Sequence, residues 1–259
     1  MLKQALKAIP GVQSLRRWDY ERRFAGDLLG AFRGVFESFD EARRSAPANK
    51  PIGFDVPAHA DLLAARRTRI FSYDYPVLFW LRPLLAPRLS IFDLGGHVGV
   101  HYYAYRKYLE YPNELQWRVC EMPAVIEAGE LLRRTETAPG LSFTTEFRDA
   151  DGADVMLAAG VVQYVERSLP AQLGELAHPP RHIFLGKLPL HDGPDFVTLQ
   201  NGGPCFVPCH VFDRKQLLAS FAEVGYDLVD SWDDPSLSCR IPFHEERAVR
   251  SYSGLYLRR

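Results

Sequence analysis

The chain has 259 residues, of which 47% are hydrophobic and 24% are charged, and its formal net charge is −1. Such a composition suits a globular protein with a full core, and the near-neutral charge argues against a nucleic-acid partner. No stretch reaches the roughly 20 apolar residues of a membrane span, and the N-terminus lacks the apolar core of a signal peptide. The cysteines, at positions 120, 205, 209 and 239, form no paired framework, so we expect reduced thiols and a cytoplasmic protein.

The first part of the chain, to about residue 47, has a helical apolar pattern. The residues that carry this pattern are Leu28, Leu29, Phe32, Val35, Phe36 and Phe39. Further helices are expected over 58–70 and 75–85. We interpret residues 1–86 as an N-terminal helical cap. The alternative is that the N-terminal helices lie on a membrane surface or pair to form a homodimer.

From residue 87 onwards, short apolar runs alternate with helical patterns. The predicted strands are "LSIFDL", "LQWRVCEMP", "LSFTTEF", "ADVMLAAG" and "RHIFLGKLPL", followed after the last helix by "YDLVDSWDD" and "SYSGLYLRR". Strands that alternate with helices indicate an α/β, doubly wound sheet with right-handed crossovers. We therefore predict a mostly parallel, seven-stranded, Rossmann-like sheet over residues 87–259.

The first of these strands runs into a glycine-rich loop, "FDLGGHVG". The dinucleotide fingerprint G-x-G-x-x-G fails here because His97 follows Gly95 and Gly96, and no Gly-Lys-Ser/Thr follows to make a phosphate loop. What remains is an acid, Asp93, with glycines two and six residues further on. The second strand ends on Glu121, whose carboxylate can accept hydrogen bonds from both hydroxyls of a ribose.

These motifs resemble those of class I S-adenosylmethionine (SAM)-dependent methyltransferases, with His97 in place of the usual middle glycine. The segment "CEMPAVIEAG" and the final strand pair strengthen the resemblance. In more detail, "DLGGHVGVHYYAYRKYL", "AAGVVQYVE" and "HVFDRKQLLASFAEVGYDLVDSW" resemble a bacterial group of methyltransferases found near surface-polysaccharide or secondary-metabolite genes. This resemblance covers most of residues 34–259 and implies SAM as the cofactor.

The resemblance also implies which residues hold that cofactor. The methionine part of SAM would lie on the loop residues Asp93, Gly95, Gly96 and Gly99, largely through their backbone. The ribose and adenine would meet Glu121, Met122, Thr145 and Glu146. The sulfonium would face Ala159 and Gly160, at the end of the fourth strand. His97 either contacts the SAM carboxylate or merely fills the loop.

Methyl transfer to an oxygen often needs a base as well as alignment. Plant-type O-methyltransferases carry a histidine just past the fourth strand, but here Gln163 and Tyr164 occupy that segment. Tyr164, with an ordinary pKa near 10, is a poor base without help. His101 is the alternative, because the helix N-terminus would favour its neutral form. It could instead pack or cap the helix.

The candidates for substrate contact lie near the ends of predicted strands or in the long segment 191–212. They are Tyr102, Gln163, Lys187, Gln200, Asn201 and His210. Cys205, Cys209 and His210 make a weak zinc signal because no second cluster accompanies them, so we predict no metal.

The sequence therefore predicts a SAM-dependent methyltransferase acting on an oxygen or nitrogen of a small molecule, either a sugar or a biosynthetic intermediate. The competing hypothesis is a binding or scaffold protein that keeps the fold without catalysis. A nicotinamide oxidoreductase is disfavoured by the failed fingerprint.

Overall fold

The computed structural model describes residues 10–56 and 65–259. The N-terminal part contains α1 (Pro10–Ala25), β1 (Phe32–Phe36), α2 (Phe39–Ser45) and α3 (Tyr75–Leu81). The helix predicted over 58–70 lies largely outside the described residues, and its described end is a short 3-10 helix, Ala65–Thr68. A second 3-10 turn, Ser72–Asp74, leads into α3.

The next part of the chain alternates strands with helices, as predicted. The strands are β2 (Ser90–Leu94), β3 (Gln116–Cys120), β4 (Leu141–Thr144), β5 (Val155–Ala159) and β6 (His182–Leu188). The helices are α4 (Val100–Tyr105), α5 (Pro123–Thr135) and α6 (Leu169–Leu173). Residues of β2 and β5 are almost wholly buried, as expected of parallel strands covered on both faces.

The remaining elements are β7 (Leu190–His191), β8 (Phe196–Asn201), β9 (Phe206–Asp213), α7 (Arg214–Glu223), β10 (Asp227–Asp234) and β11 (Tyr252–Arg258). Asp213 caps α7, because its side chain accepts from the backbone N–H groups of Lys215 and Gln216. Gly225, with a φ of +85°, follows the end of that helix.

Seven strands form the central sheet, in the order β10-β11-β6-β5-β2-β3-β4. The pairs from β6 to β4 are parallel, whereas β11 runs antiparallel to both β6 and β10. The prediction of a mostly parallel, seven-stranded sheet closed by an antiparallel pair is confirmed. The carboxyl ends of β2 to β6 therefore meet along one edge of the sheet, called the carboxyl edge below.

A second sheet of four strands, in the order β1-β8-β9-β7, differs from the predictions. The helical interpretation of residues 1–47 is wrong for 32–36, where Phe32 pairs with Gln200 and Phe36 with Val197. Phe32 and Phe36 are four residues apart, which suits a helix, but pairing with β8 decides their conformation. The domain boundary at residue 86 stays a prediction, although β1 and β8 share this sheet.

Helix α1 exposes two large apolar side chains, Leu15 and Trp18, at 68% and 64% of their surface. A groove of about 1080 Å³ lies between α1 and residues 242–245. The predicted homodimer or membrane contact through the N-terminal helices stays a prediction. Within the described ranges, no helix is long and apolar enough to cross a membrane.

The pairing of β10 with β11 depends on Gly254, which lies opposite Trp232. A Cβ on Gly254 would overlap the Trp232 indole. We therefore expect Gly254→Ala to lower the free energy of unfolding by about 1–3 kcal/mol, the usual cost of overpacking. Urea denaturation would measure this loss. Gly174→Ala is the control, since its added Cβ would meet its nearest neighbour at an ordinary 3.5 Å. Equal stability of the two variants would contradict the packing argument.

Candidate functional site

The loop between β2 and α4 lies at the carboxyl edge and is held in an alternating backbone conformation. Gly95, His97 and Gly99 all have positive φ angles, of 68°, 56° and 89°. The conformation explains why glycine usually occupies these positions, and the histidine costs about 1–2 kcal/mol of backbone strain there. Gly96 serves packing instead, because a Cβ there would overlap the Asp93 carboxylate.

The Asp93 side chain is fully buried beneath this loop. Its two oxygens lie 3.1 and 3.0 Å from Nδ1 of His101, and Nε1 of Trp117 donates to Oδ2 at 3.1 Å. The carboxylate therefore joins β2 to α4 and β3. Any contact of Asp93 with a cofactor would fall to the backbone of the loop, since the side chain is occupied within the protein.

Glu121, directly after β3, is half-buried and lies beside the loop. Its Oε2 accepts the backbone N–H of Met122 at 2.8 Å. Burial raises the pKa of Glu121, and the backbone N–H groups of Met122 and His97 oppose this rise. Glu121 thus connects the end of β3 to the glycine loop, while Met122 remains 42% exposed beside it.

The other predicted cofactor residues follow β4 and β5 along the same edge. Thr145 and Glu146 are exposed just past β4, and the Thr145 hydroxyl donates to Oε1 of Glu146 at 3.1 Å. Ala159 ends β5, and Gly160 follows it with a φ of +80°. The turn after Gly160 packs on the glycine loop, since a Cβ on Gly95 would lie 2.5 Å from that of Val161. The structure therefore brings all the predicted cofactor residues to the carboxyl edge.

The His101 side chain is buried and fixed by its contacts, unlike a general base in an open active site. It is buried in α4, paired with Asp93, with the Tyr105 ring 5.5 Å away. Burial lowers the pKa of His101, but the charge and hydrogen bond of Asp93 outweigh burial, so the pKa is raised overall. The argument that the helix N-terminus keeps this imidazole neutral is therefore wrong, because the adjacent carboxylate dominates. Its role as the base stays untested.

The raised pKa of His101 predicts a pH dependence of stability. Protonated His101 stabilises the folded state fully below its unfolded pKa of about 6.5, and this contribution is lost as pH rises through the raised folded pKa. We expect the difference in unfolding free energy between the wild type and His101→Gln to shrink between pH 6 and pH 9. Urea denaturation across this range measures it. His178→Gln, at an exposed histidine, is the control. A difference that grew with pH would contradict the sign.

Four of the predicted catalytic and substrate residues are joined by hydrogen bonds. Tyr164 donates to Oε1 of Gln200 at 2.7 Å, and Nε2 of Gln163 donates to the Lys187 carbonyl at 3.3 Å. Burial raises the pKa of Tyr164 well above its ordinary value. Tyr164 is therefore a neutral hydrogen-bond donor in this structure, and its predicted catalytic role stays a prediction.

Three other predicted substrate residues have structural contacts. Tyr102 packs in the core against the rings of Tyr111 and Trp117. Asn201 is fully buried and donates to the carbonyls of Phe24 and Gly26, at 2.7 and 3.1 Å. In β9, Nε2 of His210 lies 3.0 Å from Asp195. Their assignment to substrate remains untested, and these contacts give each of them a role in the fold.

Lys187 is the penultimate residue of β6 and has a left-handed backbone, with a φ of +57°. Its ammonium lies 4.4 Å from the centre of the Tyr73 ring. Burial, followed by the charge of Arg66, lowers the pKa of Lys187 to about 8, against the opposing effects of Asp74, Asp234 and Asp93. A lysine in this environment is neutral far more often than an ordinary one.

Two buried acids near Lys187 were missed in the sequence. Asp74 accepts from the Tyr105 hydroxyl at 2.9 Å and from the backbone N–H of Phe71 at 2.8 Å. Asp234 ends β10, where Oδ1 accepts from both the backbone and the hydroxyl of Ser236. The motif "DSWDD" indicated a strand but not which of its acids is buried, because that depends on the register with β11.

The four cysteines are buried, and the structure joins none of them in a disulfide. Among residues 10–56 and 65–259, no group of three or more histidine, cysteine or acidic side chains could hold a metal ion. Cys209 lies in β9 of the second sheet and Cys205 in the bend just before that strand, and both are fully buried.

The chain matches no protein-family model, and no curated protein matches it. Among solved structures, it is similar to a SAM-dependent methyltransferase from Aquifex aeolicus, at 10% identity and a TM-score of 0.52, over 78% of this chain and 97% of that one. Weaker similarity extends to a 1,6-didemethyltoxoflavin-N1-methyltransferase of Burkholderia thailandensis, at 14% identity and a TM-score of 0.49, over 73% and 78%. A SAM-dependent methyltransferase from Mesorhizobium loti matches at 15% identity and a TM-score of 0.46, over 73% and 98%.

The first of these similarities agrees with the strand order, in which a parallel core ends in an antiparallel pair. The chain therefore has the Rossmann-like fold of class I methyltransferases. At such low identity, the comparison establishes the fold alone.

Proposed function

We propose that this protein is a SAM-dependent methyltransferase that modifies an oxygen or a nitrogen of a small molecule. The observation that carries the proposal is the glycine loop at the carboxyl edge, with left-handed backbone at Gly95, His97 and Gly99 and with Glu121 beside it. In doubly wound sheets, ligands bind outside the carboxyl ends of the strands. The loop and the acid of the next strand lie together at this edge, which supports the binding of a nucleoside cofactor there.

The residues around the loop fit SAM. Glu121 is half-buried and would accept from the ribose hydroxyls, while the exposed Met122 would lie against adenine. Thr145 and Glu146 are exposed at the next strand end. Bound SAM would supply an electrophilic methyl group, and the chain has to hold the acceptor in line with it and exclude water.

The second sheet supports a small acceptor. Tyr164, just after β5, donates to Gln200 of β8, so a strand of the second sheet lies close to the carboxyl edge. Tyr164 also packs edge-on against Phe54, at 4.9 Å between ring centres. A sugar or a biosynthetic intermediate fits such a covered site better than a macromolecule. This agrees with a place beside surface-polysaccharide or secondary-metabolite genes, which we propose on the sequence resemblance.

The alternative is a binding or scaffold protein with the same fold. It is motivated by the missing histidine after the fourth predicted strand (β5) and by the burial of His101, whose Nδ1 is paired with Asp93. We also propose a cytoplasmic location and a homodimer through the N-terminal helices.

Isothermal titration with SAM and with S-adenosylhomocysteine tests the cofactor, and thermal shifts with SAM and NADH compare the two cofactor classes. We expect micromolar binding of SAM and no response to NADH. If SAM does not bind at concentrations of tens of micromolar, the proposal that this protein is a methyltransferase is refuted. SAM binding without transfer to any acceptor would favour the binding protein.

A further inference from the structure

The carboxyl edge continues beyond the cofactor loop into a cluster around Lys187. Its members belong to different elements: Lys187 to β6, Gln163 to the turn after β5, and Asp234 to β10. The strand register brings Lys187 and Asp234 to the same end of the sheet, because Leu188 pairs with Ser253 of β11 and Asp234 pairs with the adjacent Tyr252. Gln163 is joined to Lys187 by the hydrogen bond that its Nε2 donates to the Lys187 carbonyl. We call these three residues the Lys187 cluster.

Two atoms of the Lys187 cluster have unmet hydrogen-bonding capacity. Oε1 of Gln163 and Oδ2 of Asp234 are buried and accept no hydrogen bond from the described part of the chain. Both side chains are 2% exposed. Leaving a buried acceptor unpaired costs about 1–3 kcal/mol, so such atoms call for a partner. Both atoms are acceptors, and the partner must therefore donate.

Gly160, which has no side chain, leaves room for the side chain of Lys187. A Cβ on Gly160 would lie 3.1 Å from Cδ of Lys187, so the lysine side chain runs directly over the end of β5. That strand end is where the sulfonium is expected in the proposed function. The Lys187 amine is thus close to the place where methyl transfer would occur.

We propose that the Lys187 cluster is the methyl-acceptor subsite, that the acceptor is a hydroxyl compound, and that the Lys187 amine takes the hydroxyl proton. This inference rests on the proposed function. Hydroxyl groups would donate to Oε1 of Gln163 and Oδ2 of Asp234. A hydroxyl suits the site because it can donate to these acceptors and give its proton to the Lys187 amine, whereas an ammonium group has no free electron pair with which to attack the methyl carbon.

The transfer step balances with SAM as the methyl donor. The acceptor oxygen forms a bond to the methyl carbon, and the carbon–sulfur bond breaks with its electron pair left on sulfur. The hydroxyl proton passes to neutral Nζ of Lys187, which becomes an ammonium and later returns the proton to solvent. A general base of this kind contributes about 100- to 10,000-fold in rate.

The charged surroundings of Lys187 agree with this role. The neighbouring charged and titratable groups are Arg66 and Tyr73 on the 65–74 segment, Asp74 before α3, Asp93 on β2, His101 on α4 and Asp234 on β10. Asp74 and Asp93 are already hydrogen-bonded by Tyr105, His101 and Trp117. Asp234 alone among these three acids keeps a carboxylate oxygen without a partner in the described ranges.

The first experiment needs no acceptor. In protein carrying ¹³C- and ¹⁵N-labelled lysine, nuclear magnetic resonance follows the Lys187 amine, whose signal is identified by its loss in Lys187→Arg. We expect a pKa of about 8, lowered further in Asp234→Asn because a neighbouring negative charge is removed. Asp227→Asn, at the exposed opposite end of β10, is the matched control and should leave the Lys187 titration unchanged. An ordinary titration, or one indifferent to Asp234→Asn, would overturn the subsite.

The second experiment tests transfer. The wild type, Lys187→Arg and Lys187→Met are incubated with trideuteromethyl SAM and 10 mM panels of hexoses, inositols and phenols, and of amines of matched size. We expect the products to be methyl ethers, formed about 100-fold more slowly or worse by both variants, with SAM affinity within a few-fold of the wild type. Lys215→Met, at an exposed lysine of α7, should match the wild type. Products formed at an unchanged rate by Lys187→Arg would overturn the proposal.

The proposed function and the proposed Lys187 subsite can be refuted independently. Loss of SAM binding in the wild type would refute the methyltransferase, whereas an unperturbed Lys187 in a protein that binds SAM would refute the Lys187 subsite alone. If neither panel yields a product, the lysine titration decides the subsite.

Discussion

Replacing Glu121 by alanine should abolish SAM binding at working concentrations. The carboxylate is expected to accept two hydrogen bonds from the ribose, each charge-assisted and worth about 1.5–3 kcal/mol. Losing both corresponds to about 100-fold or more in affinity. The variant also releases the backbone N–H groups of Met122 and His97 that Glu121 holds, so the loop loses a support at the same time.

Calorimetric titration of SAM into Glu121→Ala measures this loss. Glu114→Ala is the matched control, because Glu114 precedes the same strand at its opposite end and pairs with Arg88 at the surface. Glu121→Gln separates the two contributions: its amide oxygen can still accept from the loop but carries no charge for the ribose. If the affinity for SAM is unchanged in Glu121→Ala, the ribose contact lies elsewhere and the assignment of Glu121 is refuted.

Replacing Asp93 by alanine should destabilise the fold more than it weakens any single ligand contact. Asp93 is fully buried and accepts hydrogen bonds from His101, whose pKa it raises, and from the Trp117 indole. Its removal leaves both groups without their acceptor. Breaking a buried pair by removing one partner typically costs about 3–5 kcal/mol. We expect the free energy of unfolding to fall by that amount in urea at pH 7.

Asp93→Asn tests whether charge or shape matters, since it keeps the volume and one acceptor oxygen. We expect it to be intermediate. A double-mutant cycle with His101→Gln would show coupling between the two side chains, as expected for groups in direct contact. A loss below 1 kcal/mol in Asp93→Ala would mean that the carboxylate serves the cofactor and not the fold.

The central sheet could be predicted because its signals are local. The parallel strands β2 and β5 are apolar runs covered on both faces, and a helix follows each of β2, β3 and β5 in the chain, so this alternation stands out in the sequence. The glycine loop and Glu121 could be identified for the same reason, since their positions depend only on where a strand ends. Their role in binding SAM stays a prediction.

The second sheet and the place of Asp234 in the Lys187 cluster could not be predicted because their signals are not local, whereas Lys187 and Gln163 were both predicted as substrate residues. Phe32 and Phe36 have helical spacing, and only the pairing with β8 makes them a strand. Asp234 is one of several acids in β10, and its burial follows from its register with Tyr252. His101 was assigned a neutral ring from the helix alone, whereas its partner Asp93 lies eight residues earlier.

The pairing of β1 with β8 also governs when this protein can fold during synthesis. Phe32 leaves the ribosome long before Gln200, its partner, and more than half of the chain is made between them. Contacts so distant in sequence close late, because the entropy of a long loop must be overcome first. Until β8 emerges, the nascent chain displays the unpaired, apolar β1, which is a ready target for chaperones.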